Sequence, residues 1–435
     1  MIRPAWSSLV RATVAIAVLA ASIGAAVVLD RDPERSAPTT TSPAPTPSSG
    51  SPQADRRYVT IGTTNGQQLT DAEYRDIADG YSVVVLAKFH AGWDIALHHE
   101  AVRRLKELNP DIKVFAYMST KYWFDANRWG DAEIDPDWFL RDDDGDVVRV
   151  TSASYDPESK DLGSYVDVAD PDYREWLLGV ARSWIAAAPY DGIRFDAADP
   201  IGDHGDRDIA KWEGLLSPER IDAYNDGIVT LLTDLRASLA PSQVLFNGIS
   251  PSPIRGPGRD LDMLEFTDGA MDEAFCLSGA GEVLDIEADI EIMQRHPDKL
   301  LQLRVPSPGG SLDPAERRRL ERLCVASFLL GWQPGSTYFN MGTGYGTDQL
   351  SQQPPDIDLD LGAPTEAMRR EGGALRRRFE DGAVYVNLGT APVAVELPAP
   401  MVQMDAGVAV GTVHGAVTIE AQDAVLFLYE PSQAS

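Results

Sequence analysis

The chain has 435 residues, room for one large domain and a small one. With 43% hydrophobic and 24% charged residues its composition is globular. The formal net charge of -29 argues against a nucleic acid partner; solubility accounts for it, and it carries no information about fold.

Residues 1–30 stand apart from the rest. Arg3 and Arg11 precede an apolar run from Ala12 to Leu29, closed by Asp30 and Arg31. The run is long for a signal-peptide core and short for a spanning helix. Ala20, Ala21, Ala25 and Ala26 would allow cleavage, and no Cys within the segment supports a lipoprotein anchor. The expectation is an export signal, either cleaved or kept as a membrane anchor through residues 12–29, with the body of the protein extracytoplasmic. Residues 31–57 form a linker rich in Pro, Ser and Thr, with no side chain large enough to build a core between Ser36 and Ala54.

From Tyr58 the pattern becomes regular. Tyr58–Thr64 reads as a first strand. Thr70-Asp71-Ala72-Glu73 is a capping box, and the helix it opens stops at Gly80. Val83–Lys88 is a continuous apolar run, the mark of a strand buried on both faces. A helical period from His98 to Leu108 leads to strand three, Val114–Met118. An insertion from Ser119 to about Gly163 carries Tyr122, Trp123, Phe124, Trp129 and Trp138, which either stack on sugar rings or form a small core of their own. Within it, Asp142–Asp146 is dense in acids. The Gly and Glu positions of a calcium loop are wrong there, and an Asp-Gly hairpin fits better. Asp170-Pro171 opens the helix that leads to strand four, Tyr190–Asp196. Ser217-Pro218 opens the next, and strand five is Val244–Asn247. Strand six holds Glu273, a helix follows from Leu284 to Arg295, and strand seven is Leu300–Val305. Asp313-Pro314 caps a helix reaching Trp332, and strand eight is Ser336–Asn340.

Eight strands alternating with helical or irregular segments over residues 58–362 predict an α/β fold, a (β/α)8 TIM barrel. A doubly wound sheet is the alternative, but no Gly-rich phosphate loop follows an early strand. After Gly373 the period changes to short strands, Ala383–Leu388, Val393–Leu397, Val413–Ile419 and Val425–Tyr429. These predict a small C-terminal antiparallel β domain, a β-sandwich over residues 373–431.

Two stretches share one arrangement. Asp191-Gly192 is followed by Asp196, and Asp268-Gly269 by Glu273, each acid five residues after its Asp. Equal offsets suggest equal height in one sheet, and two acids facing each other across a cavity are what glycosidic cleavage requires. Alternation along strand four sends Arg194 and Asp196 inward together, so the guanidinium is expected to keep Asp196 ionised. Asp196 is the expected nucleophile, or the base if the enzyme inverts, and Glu273 the general acid. Glu273 has no cation nearby in sequence, and desolvation should raise its pKa. Asp199 and Asp272 could take over these roles if a bulge shifts the register. Asp191 and Asp268 precede their strands and should be structural. Arg194, Asn247, Tyr117, Trp123 and Asp199 are the expected substrate contacts. No metal or cofactor is expected, because none of the six His forms a His-x-His pair after a strand. A Schiff-base chemistry has only Lys88 as a candidate. Cys276 and Cys324, the two cysteines, are either bridged or buried as free thiols.

With these residues assembled, the chain from about Tyr58 onward resembles the hypothetical glycoside-hydrolase-like families of exported bacterial TIM barrels. Gly192-Ile193-Arg194-Phe195-Asp196-Ala197-Ala198 is similar to the fourth-strand motif of the α-amylase family, in which that Asp is the nucleophile and the Arg its partner. This chain lacks that family's first motif and has Asn247 where its strand-five acid stands. An acid pair on strands four and six is instead similar to the α-galactosidase clan. The resemblance implies an exported glycoside hydrolase acting on a polysaccharide or oligosaccharide, expected as a monomer. The alternative is a non-catalytic barrel that binds cell-wall polysaccharide, which would not need Asp196 and Glu273 to face each other.

Overall fold

The structure is a computed structural model that describes residues 56–62, 69–87, 95–123, 133–150, 163–201, 214–249, 259–307, 312–342 and 346–430. The export signal, nearly all of the linker, Lys88, Phe124 and Trp129 lie outside the described residues. Among the described residues no helix is long and apolar enough to cross a membrane.

Eight parallel strands form one sheet in sequence order: β1 (Tyr58–Gly62), β2 (Val83–Ala87), β3 (Lys113–Ser119), β4 (Gly192–Asp196), β5 (Gln243–Asn247), β6 (Gly269–Asp272), β7 (Leu300–Val305) and β8 (Thr337–Met341). A bridge between Arg57 and Phe339 closes it, and the Asn340 amide donates to the Tyr58 carbonyl across the same seam at 3.0 Å. The structure is therefore the closed barrel that the alternation predicted, and not an open doubly wound sheet. Followed through successive ladder partners, the register leaves β1 at Tyr58 and returns to it about eight residues lower, the shear of a regular (β/α)8 barrel.

Among the described residues seven full helices lie around the wall: α1 (Asp71–Gly80), α2 (Ile95–Leu108), α3 (Pro171–Ala187), α4 (Pro218–Leu239), α5 (Arg259–Phe266), α6 (Ile286–Arg295) and α7 (Pro314–Gly331). Their starts follow sequence chemistry. Thr70 and Glu73 bond reciprocally in the capping box, and Asp170 and Asp313 cap helices whose first residue is Pro. No helix is legible in sequence at α5, whose eight residues are too few for a clear helical period. After β8 no eighth α-helix appears among the described residues; 3-10 turns at Thr347–Ser351 and Pro355–Asp358 take its place.

The apolar residues fall into separate sets. Side chains pointing into the barrel, among them Tyr58, Val85, Phe115, Leu245, Met271 and Tyr338, form a core of their own. A larger core fills the space between wall and helices.

The bottom of the barrel explains the Asp-Gly pairs. The Asp191 carboxylate accepts from the Val114 N–H at 2.6 Å and pairs with Lys106 at 2.8 Å. Asp268 does the same two repeats later, accepting from the Val244 N–H at 2.9 Å and from Arg236 at 2.8 Å. Each carboxylate thus ties the start of the neighbouring strand to a helix, as expected of a structural residue on this face. Asp191→Asn and Asp268→Asn should each lower stability by about 2 kcal/mol, the worth of a charge-assisted hydrogen bond, without changing kcat of the folded fraction. Urea unfolding and single-point kinetics together check this; a folded but inactive Asp191→Asn would refute it.

The C-terminal strands are β9 (Arg369–Glu371), β10 (Ala374–Arg378), β11 (Gly382–Asn387), β12 (Val393–Glu396), β13 (Met401–Asp405), β14 (Val408–Val413), β15 (Ala416–Ile419) and β16 (Asp423–Tyr429). Six form one antiparallel sheet in the order β9-β10-β11-β16-β13-β14, and β12 pairs with β15. One face of the large sheet packs on α7 and shares the outer core of the barrel; the other has a small core of its own with the β12–β15 pair. Strand β10, Ala-Leu-Arg-Arg-Arg, is not among the strands expected from the sequence. Its Arg377 is buried and donates to the carbonyls of Leu329, Leu330 and Trp332, the free end of α7. Burial pulls that guanidinium down to about 10. The Arg322 guanidinium of α7 forks onto Asp423 with two bonds of 2.8 Å.

Candidate active site

The barrel register decides which side chains meet at the mouth. Phe195 pairs with Phe246, which sets Asp196 beside Asn247, and Asn247 pairs with Met271. Glu273 therefore stands two residues above the ladder partner of Asp196. With a shear of eight the ladder path descends by about one residue per strand, so two strands on the two acids lie at the same height. They belong to the top layer of side chains, supplied by alternate strands.

The layer beneath comes from the odd strands: Thr60 of β1, Tyr117 of β3, Asn247 of β5 and Arg304 of β7. It serves the acids above it. The Asn247 amide donates to Asp196 Oδ1 at 2.7 Å, and the Tyr117 hydroxyl donates to Asp196 Oδ2. An amide N–H can only donate, so Asn247 holds Asp196 Oδ1 as an acceptor. Glu273 Oε1 lies 3.8 Å from Arg304 Nη1. The Arg304 side chain also donates to the Gly342 carbonyl at 3.3 Å, and its own carbonyl accepts from Phe275 N–H at 2.9 Å. Arg304 thus links the exits of β6, β7 and β8.

The backbone after each acid is constrained. Ala197 has φ 53 and Cys276 has φ 66, left-handed values that non-glycine residues adopt at a cost. Thr120 holds the first turn, its hydroxyl bonded to the carbonyls of Asp196 and Ala197 at 3.0 and 2.5 Å. A disulfide between Cys276 and Cys324 fastens the second to α7, which settles the pairing that the sequence left open.

Several expected substrate contacts serve other purposes. Arg194 is 1% exposed, and its Nη1 bonds Thr60 Oγ1, Met271 Sδ and Gln302 Oε1, one, two and three layers below the acids. Its guanidinium is therefore held within the barrel core. Tyr117 and Asn247, 4% and 7% exposed, hold Asp196 from beneath. Trp123 is buried in a cluster with Trp176, Trp138 and Tyr173, so this part of the insertion's aromatics forms a local core with α3. Asp199 pairs with buried Lys121 at 3.0 Å and retains partial exposure at the mouth. Asp272 points away from the cavity into the wall, 3% exposed, so no bulge exchanges it with Glu273. The environment of Glu273 also differs from expectation: it is half-exposed, and β7 delivers a cation that sequence distance concealed. Alternation along Leu300–Val305, with Gln302 and Arg304 on one face of an apolar strand, is the signal that could have found Arg304. The acids of Asp142–Asp146 form the expected hairpin, closed by the Asp142 N–H to Asp146 carbonyl bond at 2.8 Å and turned at Gly145.

A family model described as hypothetical glycosyl hydrolase family 15 matches residues 106–383, from the end of α2 into β11. The chain belongs to this family. The match spans both acids, the layer from Tyr117 to Arg304, and the first strands of the C-terminal sheet. No curated protein sequence matches the chain. Among solved structures it is similar to a pullulanase from Anoxybacillus sp. LM18-11 complexed with maltotetraose, at 10% identity, 90% of this chain, 73% of that one and a TM-score of 0.51. It is also similar to an α-amylase from Geobacillus thermoleovorans complexed with acarbose, at 12% identity, 87% and 99% coverage and a TM-score of 0.47. A third is the glycoside hydrolase domain of PelA from Pseudomonas aeruginosa, at 16% identity, 66% and 95% coverage and a TM-score of 0.39. At these identities the first likeness speaks for the fold alone, and the other two are too distant to carry an argument. Membership of hypothetical glycosyl hydrolase family 15 makes the chain a glycoside hydrolase.

Proposed function

We propose that this glycoside hydrolase cleaves O-glycosidic bonds in an extracytoplasmic polysaccharide or oligosaccharide with Asp196 and Glu273 as its two carboxyl groups. The observation that carries the reading is their common height in the top layer, two strands apart. Asp196, bonded by Tyr117 and Asn247 at the end of β4, is positioned as the nucleophile or base. Glu273, half-exposed at the mouth, is placed to exchange a proton with a leaving group. The apolar run of residues 12–29 and the linker after it support export, with the catalytic barrel held outside the membrane. Asp199, held by the buried Lys121, forms part of the substrate rim.

Screening the protein against bacterial wall and plant polysaccharides identifies the sugar. Glu273→Ala then tests the role assignment. It should lower kcat roughly a thousandfold on the natural glycoside, the scale of general acid catalysis, and far less on a 4-nitrophenyl glycoside, whose leaving group needs no proton. Equal losses on both substrates would remove Glu273 from the acid role.

A further inference from the structure

We propose that Asp272 and Asp289 share one proton behind the barrel wall and that this protonated pair positions the β6 exit that carries Glu273. Asp272 is the last residue of β6 and faces outward; Asp289 lies on the first turns of α6 and faces it. They are 3% and 4% exposed. Both line a cavity of about 10 Å³, room for one water at most, together with Ile249, Ala270, Ile292, Leu301, Gln302 and Leu303.

The two carboxyl groups hydrogen-bond to each other, and Asp289 also accepts from the Cys276 N–H. Asp272 Oδ1 accepts from the Ala274 N–H at 2.8 Å. The pair therefore holds the backbone on both sides of Phe275, and with it the segment from Asp272 to Cys276. One carboxyl must carry a proton for the two to bond. Asp289 Oδ1 has no donor among the described residues and is buried, which suits a neutral acid and not a carboxylate. Burial first, then the charge of Asp272, pushes the Asp289 carboxyl well above the usual range. The charged groups around the pair are Asp285 at the N-cap of α6, Glu273 on the inner side of β6, and Arg304 on β7; Tyr58 from β1 also feels Asp272. Asp285 adds negative charge and so favours the protonated state.

The consequence for stability has a definite sign. An acid whose folded-state pKa is raised contributes stability that is fully present below its unfolded value, about 4, and is lost as pH rises toward the folded value. Asp289→Asn replaces the shared proton with a permanent amide donor of the same shape. The gap in Tm between Asp289→Asn and the parent should therefore widen in favour of the variant as pH rises from 4 to 8. A gap that stays flat across this range overturns the proposal.

A second arm addresses positioning, and it rests on the role proposed above for Glu273. Asp289→Leu removes the bonds to both Asp272 and Cys276. It should lower kcat by roughly tenfold or more through misplacement of Glu273, with KM little changed, on the natural glycoside identified by the screen, and far less on its 4-nitrophenyl glycoside. Asp289→Asn should retain kcat. If Asp289→Leu does not fold, the pH profile of Asp289→Asn still decides. Failure of the Glu273 role would appear separately, as a Glu273→Ala variant with normal activity on the natural glycoside.

Discussion

Asp196→Ala is expected to abolish hydrolysis, lowering kcat on the order of ten-thousand-fold, the scale on which removal of a nucleophilic group acts. The fold should survive, because Asp196 stands at the end of β4 and its side-chain partners, Tyr117 and Asn247, are themselves anchored in the wall. Azide should restore part of the turnover on an activated aryl glycoside if Asp196 is a nucleophile, by filling the space and attacking in its place. Tyr117→Phe and Asn247→Ala each remove one of the two donors and should fall between the parent and Asp196→Ala. Near-normal activity of Asp196→Ala on the natural polysaccharide would move the chemistry to another acid, with Asp199 the nearest.

The largest loss of stability should come from a single methyl group. A Cβ on Gly192 would lie 2.0 Å from the Gln243 carbonyl oxygen and 2.8 Å from the Phe115 ring; on Gly269 it would lie 2.0 Å from the Leu300 carbonyl oxygen and 2.9 Å from Leu245. Neither carbonyl can give way, since each belongs to the neighbouring strand of the ladder. Gly192→Ala and Gly269→Ala should each cost about 3 kcal/mol or more, the upper range for overpacking. Gly179 is the control: it lies within α3 with no atom within 4 Å of its added Cβ. Gly179→Ala should stabilise by about 1 kcal/mol through helix propensity. Chemical denaturation of the three variants measures the contrast, and equal effects would show that the barrel floor is looser than these distances.

The same glycines show how a correct reading of sequence can rest on an incomplete reason. In sequence, Asp-Gly reads as a turn entering a strand. In the structure the Asp is a staple between strand and helix, and the Gly is the strand's first residue, small because the next strand crosses close to it. The equal offset of Asp196 and Glu273 from these pairs does mean equal height, but only because each Asp-Gly sits at the same level of a barrel with regular shear.

The sequence by itself determined the positions of the eight barrel strands, the caps of α1, α3 and α7, the Asp142–Asp146 hairpin and the two acids at strand exits. These are local signals: a buried parallel strand is a continuous apolar run, a cap is a short motif, and an acid after such a run marks its end. Tertiary structure alone decided what each inward side chain meets. Arg194 is two residues from Asp196, yet its bonds go to β1, β6 and β7, while Asp196 is held by β3 and β5, and Glu273 meets Arg304 from β7. In a closed barrel, alternate strands supply each layer and the shear sets which residues share it. A side chain's partners are therefore fixed by register around the wall, which spacing along the chain does not encode.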